Sequence, residues 1–98
     1  MDLQEACFHL RHRRRMYLPD DRYASVVAFV TGLASAGDGR MLDGFDGWVA
    51  ERVLGHETGR GWWSVVMDSV PAGSPVRDAD ATTILLGLLE DFAERRPA

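Results

Sequence analysis

Residues 78–97, DADATTILLGLLEDFAERRP, form the stretch that decides the fold of this 98-residue chain. Apolar side chains recur along it at helical spacing, acidic residues precede them and arginines follow them. Asp78 or Asp80 is placed to cap the N-terminus of a helix, and Pro97 stands where that helix would end. The apolar stripe consists of Ile84, Leu85, Leu88, Leu89 and Phe92. This pattern predicts one long amphipathic helix that needs apolar partners.

The N-terminal part of the chain predicts two more helices. Residues 2–14 begin with acids and end with arginines, an order that complements the helix dipole. Residues 16–18, MYL, follow as an apolar link that we expect to anchor on the core. A proline and two aspartates at 19–21 are typical of a helix start, and apolar residues recur at helical spacing from 23 to 33.

The middle of the chain contains a third helical pattern and one ambiguous element. Asp38 can cap a helix whose apolar residues run from 42 to 53. Gly44 and Gly47 each weaken that helix by about 1 kcal/mol relative to Ala, which indicates either a close helix crossing or a later start. The run WWSVVMDSV at 62–70 is too short and too apolar for periodicity to separate a helix from a strand.

Together these segments predict an all-α bundle of four to five helices, in a single domain over 1–98. The alternative is an α+β fold with short strands near 25–30 and 62–67, where the sequence is rich in β-branched and apolar residues. No apolar run approaches the roughly 18 residues that a membrane-spanning helix needs, and the start does not resemble a secretory signal. With a single cysteine, we expect a soluble cytoplasmic protein without disulfides or membrane contact.

A basic segment, LRHRRRMYL at 10–18, stands out in a chain whose net charge is −4. If Arg11, Arg13, Arg14 and Arg15 contact phosphates, the protein is nucleic-acid-associated, which is our second hypothesis. Two features disfavour nucleic acid as a partner: residues 41–98 carry ten acids against five arginines, and aromatic residues do not alternate with the arginines. Arginines at a helix end also complement the dipole. We therefore interpret LRHRRR as the end of the first helix.

Motifs for catalysis and for cofactor binding are missing from the sequence. The chain has eleven arginines and no lysine, which excludes the P-loop, Schiff-base and pyridoxal phosphate chemistries. Cys7, His9 and His12 lie close together, but Cys7 belongs to an apolar face and no second ligand pair such as CxxC or HExxH follows. We predict no cofactor, no metal and no catalysis. A small enzyme or ligand-binding protein is the third hypothesis, and it requires a concave pocket.

The tryptophans carry the first hypothesis. Because Trp62 and Trp63 are adjacent, they cannot both face one core, so one should be partly exposed or cover the loop at 55–61. Exposed Trp is a typical anchor of protein interfaces, and acids on the polar side of the third helix suit a basic partner. The predicted protein-binding surface consists of Trp48, Trp62, Trp63, Asp43 and Asp46. Its partner is another protein or a second copy of this chain in a homodimer.

Two short patterns add a resemblance. RRRMYL at 13–18, followed later by GFDGW at 44–48, resembles short bacterial proteins of unassigned function, some with toxin-immunity or accessory roles. This resemblance implies a non-catalytic accessory or immunity-type protein and assigns no functional residue.

Overall fold

The computed structural model describes residues 1–36 and 39–95, which form five α-helices and no strand. The helices are α1 (Leu3–His12), α2 (Tyr23–Ser35), α3 (Phe45–Leu54), α4 (Trp62–Asp68) and α5 (Arg77–Arg95), with a 3₁₀ turn at Arg14–Met16 after α1. The all-α prediction is therefore confirmed. The alternative strands near 25–30 and 62–67 are wrong, because both segments are helical and bury one face each against the bundle.

Helix α5 is the centre of the bundle and packs against all four other helices. Its predicted apolar stripe is confirmed: Leu85 and Leu89 are fully buried, and Leu88 and Phe92 are nearly so. Leu86 is buried as well, because neighbours cover α5 on more than one side. Among the described residues, no helix has both the length and the apolar character needed to cross a bilayer.

Helix α1 begins with a reciprocal cap. The Asp2 carboxylate accepts a hydrogen bond from the Glu5 backbone N–H at 2.7 Å, and the Glu5 carboxylate accepts one from the Asp2 backbone N–H at 3.3 Å. These two backbone N–H groups at the start of α1 have no partner within the helix, and the two side chains provide one for each. Leu3, Cys7 and Leu10 then form the buried face of α1, which packs against α5.

The link after α1 differs from the prediction that MYL anchors on the core. Leu18 is buried, but Met16 is 74% exposed and Tyr17 is exposed too. In a 3₁₀ turn consecutive side chains point about 120° apart, so three residues in a row cannot share one face. Only Leu18 anchors this link.

Helix α2 begins after its predicted capping residues, whereas helix α5 begins before its own. Helix α2 starts at Tyr23, and Asp20 instead accepts hydrogen bonds from the Arg22 backbone N–H at 3.0 Å and the Ser25 hydroxyl at 2.7 Å. These bonds, with that from Ser25 the stronger influence, lower the pKa of Asp20. In α5 both Asp78 and Asp80 lie inside the first turn, so neither is the cap residue.

Helix α3 starts at Phe45, because Gly44 before it has the left-handed backbone (φ +81°) that ends the preceding turn. The later start accounts for Gly44, whereas Gly47 lies inside α3, where its missing side chain leaves room for Glu57. Asp43 lies in that turn and not on the helix, which corrects its predicted position. The proposed cap Asp38 and the residues from 96 onward lie outside the described part of the chain.

Candidate functional site

A cluster of aromatic side chains joins α3, α4 and α5. Phe45 is fully buried, with its ring centroid 5.4 Å from that of Trp62 and 5.0 Å from that of Phe92. Trp48 stacks beside Phe45 at 6.0 Å and is partly buried. Trp62 is only 4% exposed. Trp62 is thus a core residue and does not belong to an exposed surface.

Trp48 is covered from outside by Arg52. The guanidinium carbon of Arg52 lies 4.9 Å from the centroid of the Trp48 ring, within cation–π range. The same guanidinium donates a hydrogen bond to the Asp91 carboxylate at 2.8 Å. The outer face of the Trp48 ring is therefore covered by Arg52, which Asp91 holds in place.

Trp63 has the opposite environment from Trp62, as the sequence predicts for one of the pair. Its side chain is 47% exposed, and its ring makes an edge-to-face contact with Trp62 at 5.7 Å. The Trp63 carbonyl accepts a hydrogen bond from the buried Tyr23 hydroxyl at 2.8 Å. On one side the indole lies so close to Gly61 that any side chain there would overlap the ring. Trp63 is therefore exposed and also covers the end of the 55–61 loop.

The exposed indole forms one wall of an open cleft of about 400 Å³ between α3 and the loop before α4. We call this site the Trp63 cleft. It is lined by Asp46, Gly47, Ala50, Glu57, Thr58, Gly59, Arg60, Gly61 and Trp63.

Glu57 supplies a free carboxylate to the Trp63 cleft. A Cβ atom at Gly47 would lie 3.0 Å from Glu57 Oε1, so the glycine allows the carboxylate to approach α3 closely. Within the described part of the chain, the Glu57 carboxylate has neither a hydrogen bond nor an ion pair. The one hydrogen bond that Glu57 makes within the described part of the chain is through its backbone carbonyl, which contacts His56 Nδ1.

Asp46 has a structural role that sequence analysis missed. Its Oδ1 accepts a hydrogen bond from the Trp62 backbone N–H at 2.8 Å. This carboxylate on α3 thereby caps the N-terminus of α4, where a negative charge is favourable. Asp46 and Trp63 line the same cleft, whereas Asp43 does not line it.

Arg60 is the one basic residue among those lining the cleft, and its charge is already balanced. Its guanidinium donates to the Ser64 hydroxyl at 2.6 Å and also pairs with the Asp68 carboxylate. The remaining ionised groups at the cleft are the carboxylates of Asp46 and Glu57. The cleft therefore joins an aromatic wall to net negative charge.

The basic segment lies at the end of α1 and in the 3₁₀ turn, where two of its four arginines are ion paired. Arg11 donates two hydrogen bonds to Glu90 at 2.8 and 2.7 Å, which lower the pKa of the Glu90 carboxyl. Arg15 pairs with Asp21 at 3.2 Å. Arg14 donates to the Leu10 carbonyl and, like Arg13, has no carboxylate partner among the described residues.

Folding brings aromatic side chains beside this basic segment, although they do not alternate with arginines in the sequence. The Arg13 guanidinium lies 5.8 Å from the centroid of the Phe8 ring, and Phe8 is 50% exposed. Phe8 also contacts the ring of His12 at 5.0 Å, and Tyr17 lies nearby against His9. We call Phe8, His12, Arg13, Met16 and Tyr17 the α1 face.

No three His, Cys, Asp or Glu side chains come together as a metal-binding group in residues 1–36 and 39–95. Cys7, considered above beside His9 and His12, is buried in the core. Burial and, secondarily, the nearby Glu90 charge raise the pKa of the Cys7 thiol to about 11. A neutral, buried thiol is neither a good ligand nor a good nucleophile.

No protein-family model, no curated protein and no solved structure matches this chain. The Trp63 cleft and the α1 face are therefore the two candidate sites.

Proposed function

We propose that this protein is a non-catalytic protein–protein interaction module, of an accessory or immunity type, that binds its partner through the Trp63 cleft. The observation that carries this proposal is the exposed indole of Trp63 on a backbone that is held in place. Trp62 anchors the same helix in the core, and Tyr23 holds the Trp63 carbonyl. A large aromatic side chain that is ordered before binding loses little entropy when a partner covers it.

The charges around the cleft support a protein partner with a basic surface. The Glu57 carboxylate has no partner among residues 1–36 and 39–95, Asp46 adds a second carboxylate, and the exposed Asp43 lies in the turn just before α3. Electrostatic complementarity of this kind accelerates association and selects partners. The partner is another protein or a second copy of this chain.

Affinity capture of the tagged protein from native extract, after nuclease treatment, tests the proposal. We expect one stoichiometric partner with the wild-type protein, or a homodimer in sedimentation, and loss of either species in Trp63→Ala. Phe8→Ala is the matched control, because it removes another half-exposed aromatic side chain away from the cleft. The proposal fails if Trp63→Ala, folded as judged by circular dichroism, binds as the wild type does.

A second candidate function, binding of single-stranded nucleic acid, is favoured by one observation on the α1 face. The Arg13 guanidinium lies over the exposed Phe8 ring, and the ring of Tyr17 contacts His9, the residue after Phe8. Exposed rings beside unpaired arginines suit bases and phosphates respectively. The two ion-paired members, Arg11 and Arg15, reduce the charge available for phosphates.

Fluorescence anisotropy with a labelled single-stranded oligonucleotide separates the two candidates. Nucleic-acid binding predicts an affinity that falls steeply with salt and is lost in Phe8→Ala and in Arg13→Gln. Trp63→Ala would leave that affinity unchanged. Absence of binding at low salt would eliminate this second candidate.

A further inference from the structure

We infer that the Trp63 cleft receives an arginine side chain of the partner protein, whose guanidinium stacks on the Trp63 indole and pairs with the Glu57 carboxylate. This inference rests on the proposed function and specifies the chemistry of the partner. Three features of the structure support it: an arrangement inside the same molecule, the unpaired charge in the cleft and the size of the cleft.

The chain already contains one complete site of this kind. Trp48 carries the Arg52 guanidinium at 4.9 Å from its ring centroid, and Asp91 accepts a hydrogen bond from the same guanidinium at 2.8 Å. Tryptophan and carboxylate together thus hold a planar cation. The Trp63 cleft offers the same two chemical groups, an indole and a carboxylate, as lining residues.

The Trp63 cleft differs from the Trp48 site in one respect. Arg52 lies over the Trp48 ring, whereas none of the described arginines lies over the Trp63 ring. The only cation–π contacts described are those of Arg13 with Phe8 and Arg52 with Trp48. Arg60 lines the cleft but is held by Ser64 and Asp68. Because no described residue pairs with the Glu57 carboxylate, an incoming cation does not have to displace a described ion pair there.

The cleft is large enough for an arginine side chain, and its chemistry favours arginine over lysine. The cleft has a volume of about 400 Å³, which is at the small end of the range for ligand pockets and is more than one side chain requires. A guanidinium is planar, stacks on aromatic faces and donates two parallel hydrogen bonds to a carboxylate. A lysine ammonium is a compact, strongly hydrated point charge, so it gains less from an indole face.

Nuclear magnetic resonance can test this inference with short peptides of defined charge. The probe is acetyl-Gly-Arg-Gly-amide, and its control is the same peptide with citrulline, which keeps the shape of arginine without the charge. We expect a saturable shift of the Trp63 indole N–H signal, with the citrulline peptide binding about tenfold more weakly or not at all.

Two variants assign that shift to the proposed groups. Glu57→Gln should abolish the preference for arginine over citrulline, whereas Glu94→Gln, at an exposed acid on α5, should keep it. Gly61→Ala should also weaken the binding, because the added methyl group displaces the Trp63 ring while the backbone at this residue (φ −65°) accepts alanine. Equal binding of the two peptides, or an unchanged preference in Glu57→Gln, would overturn the inference.

The same variants separate this inference from the proposed function. If Trp63→Ala loses the captured partner but Glu57→Gln retains it, the interaction module stands and the arginine site is wrong. If Trp63→Ala and Glu57→Gln both retain the partner, the interface does not include the cleft and both proposals fail. Loss of the partner in both variants, together with the peptide preference, supports both.

Discussion

At the scale of single residues, Trp62 and Trp63 show how adjacent identical side chains acquire different roles. Successive residues on a helix point about 100° apart, so the buried face of α4 takes Trp62 and leaves Trp63 at its edge. Trp62 packs on Phe45, while Trp63 covers Gly61 and faces solvent. The former contributes to stability, and the latter is free for binding.

This difference gives a direct prediction for two alanine variants. We expect Trp62→Ala to lower the free energy of unfolding by about 3–5 kcal/mol, because it opens a cavity in the aromatic cluster. Trp63→Ala should cost no more than about 1 kcal/mol, since the ring is half exposed. Urea denaturation followed by circular dichroism measures both values. Equal losses in the two variants would mean that Trp63 is a core residue in solution.

Cys7 carries a second prediction at this scale. Because burial raises the pKa of its thiol from 9.0 to about 11, the thiolate at pH 8 is scarcer in the folded protein than in an unfolded chain by about 100-fold. Alkylation by iodoacetamide, followed by mass spectrometry, should be slower by at least that factor in buffer than in concentrated urea. Similar rates in both conditions would show that α1 opens readily.

At the scale of secondary-structure elements, α4 depends on a neighbour for its start. The helix has only seven residues, and its own N-cap position, Gly61, provides no side-chain hydrogen bond. A short helix is marginal without tertiary support. Asp46 on α3 supplies the missing acceptor to the Trp62 backbone N–H. This cap also fixes the position of α4, and hence of Trp63, relative to α3.

Substitutions at Asp46 separate its role as the hydrogen-bond acceptor that caps α4 from the effect of its negative charge on partner binding. Asp46→Ala should lower the free energy of unfolding by about 1 kcal/mol, whereas Asp46→Asn, also a good cap, should lose only part of that amount. If the charge matters for a basic partner, Asp46→Asn will weaken partner binding while keeping most of the stability. Thermal denaturation together with affinity capture provides the two readouts. Equal destabilisation by Ala and Asn would contradict the capping role.

At the scale of the whole molecule, the pair of Arg11 and Glu90 links α1 to the central helix α5. The hydrogen bonds from Arg11 lower the pKa of Glu90 in the folded state. An acid whose pKa is depressed by folding stabilises the protein fully above its unfolded pKa, about 4.3 for Glu. That contribution is lost as the pH falls through the folded pKa.

The pH dependence of stability therefore tests this link. On acidification from pH 7 to pH 3, the wild type should lose more unfolding free energy than Glu90→Gln, by up to about 1 kcal/mol, because the pair is partly exposed. Urea titrations at several pH values measure the difference. Glu94→Gln, at another acid of α5, is the control and should follow the wild type. If the unfolding free energy of Glu90→Gln falls with pH as steeply as that of the wild type, the ion pair does not contribute to stability in solution.

Local sequence patterns predicted α1 and α5 most directly, whereas the segments near 25–30 and 62–67 were compatible with either helices or strands. The stripe from Ile84 to Phe92 and the charge order of α1 predict helices from spacing and dipole alone, and both are present. The rule that Trp62 and Trp63 cannot share a face comes from backbone geometry and also holds. These properties follow from interactions within a few residues along the chain, so they can be derived from the sequence.

Only the tertiary structure decided which groups meet. The cap from Asp46 to Trp62, the free carboxylate of Glu57 beside Gly47 and the placement of Phe8 next to Arg13 depend on how elements pack in space. The exact starts of α2 and α3 also escaped prediction, because turn hydrogen bonds and one left-handed glycine set them. Helices arise from local periodicity, whereas the Trp63 cleft arises from contacts between residues distant in the chain, which no local pattern encodes.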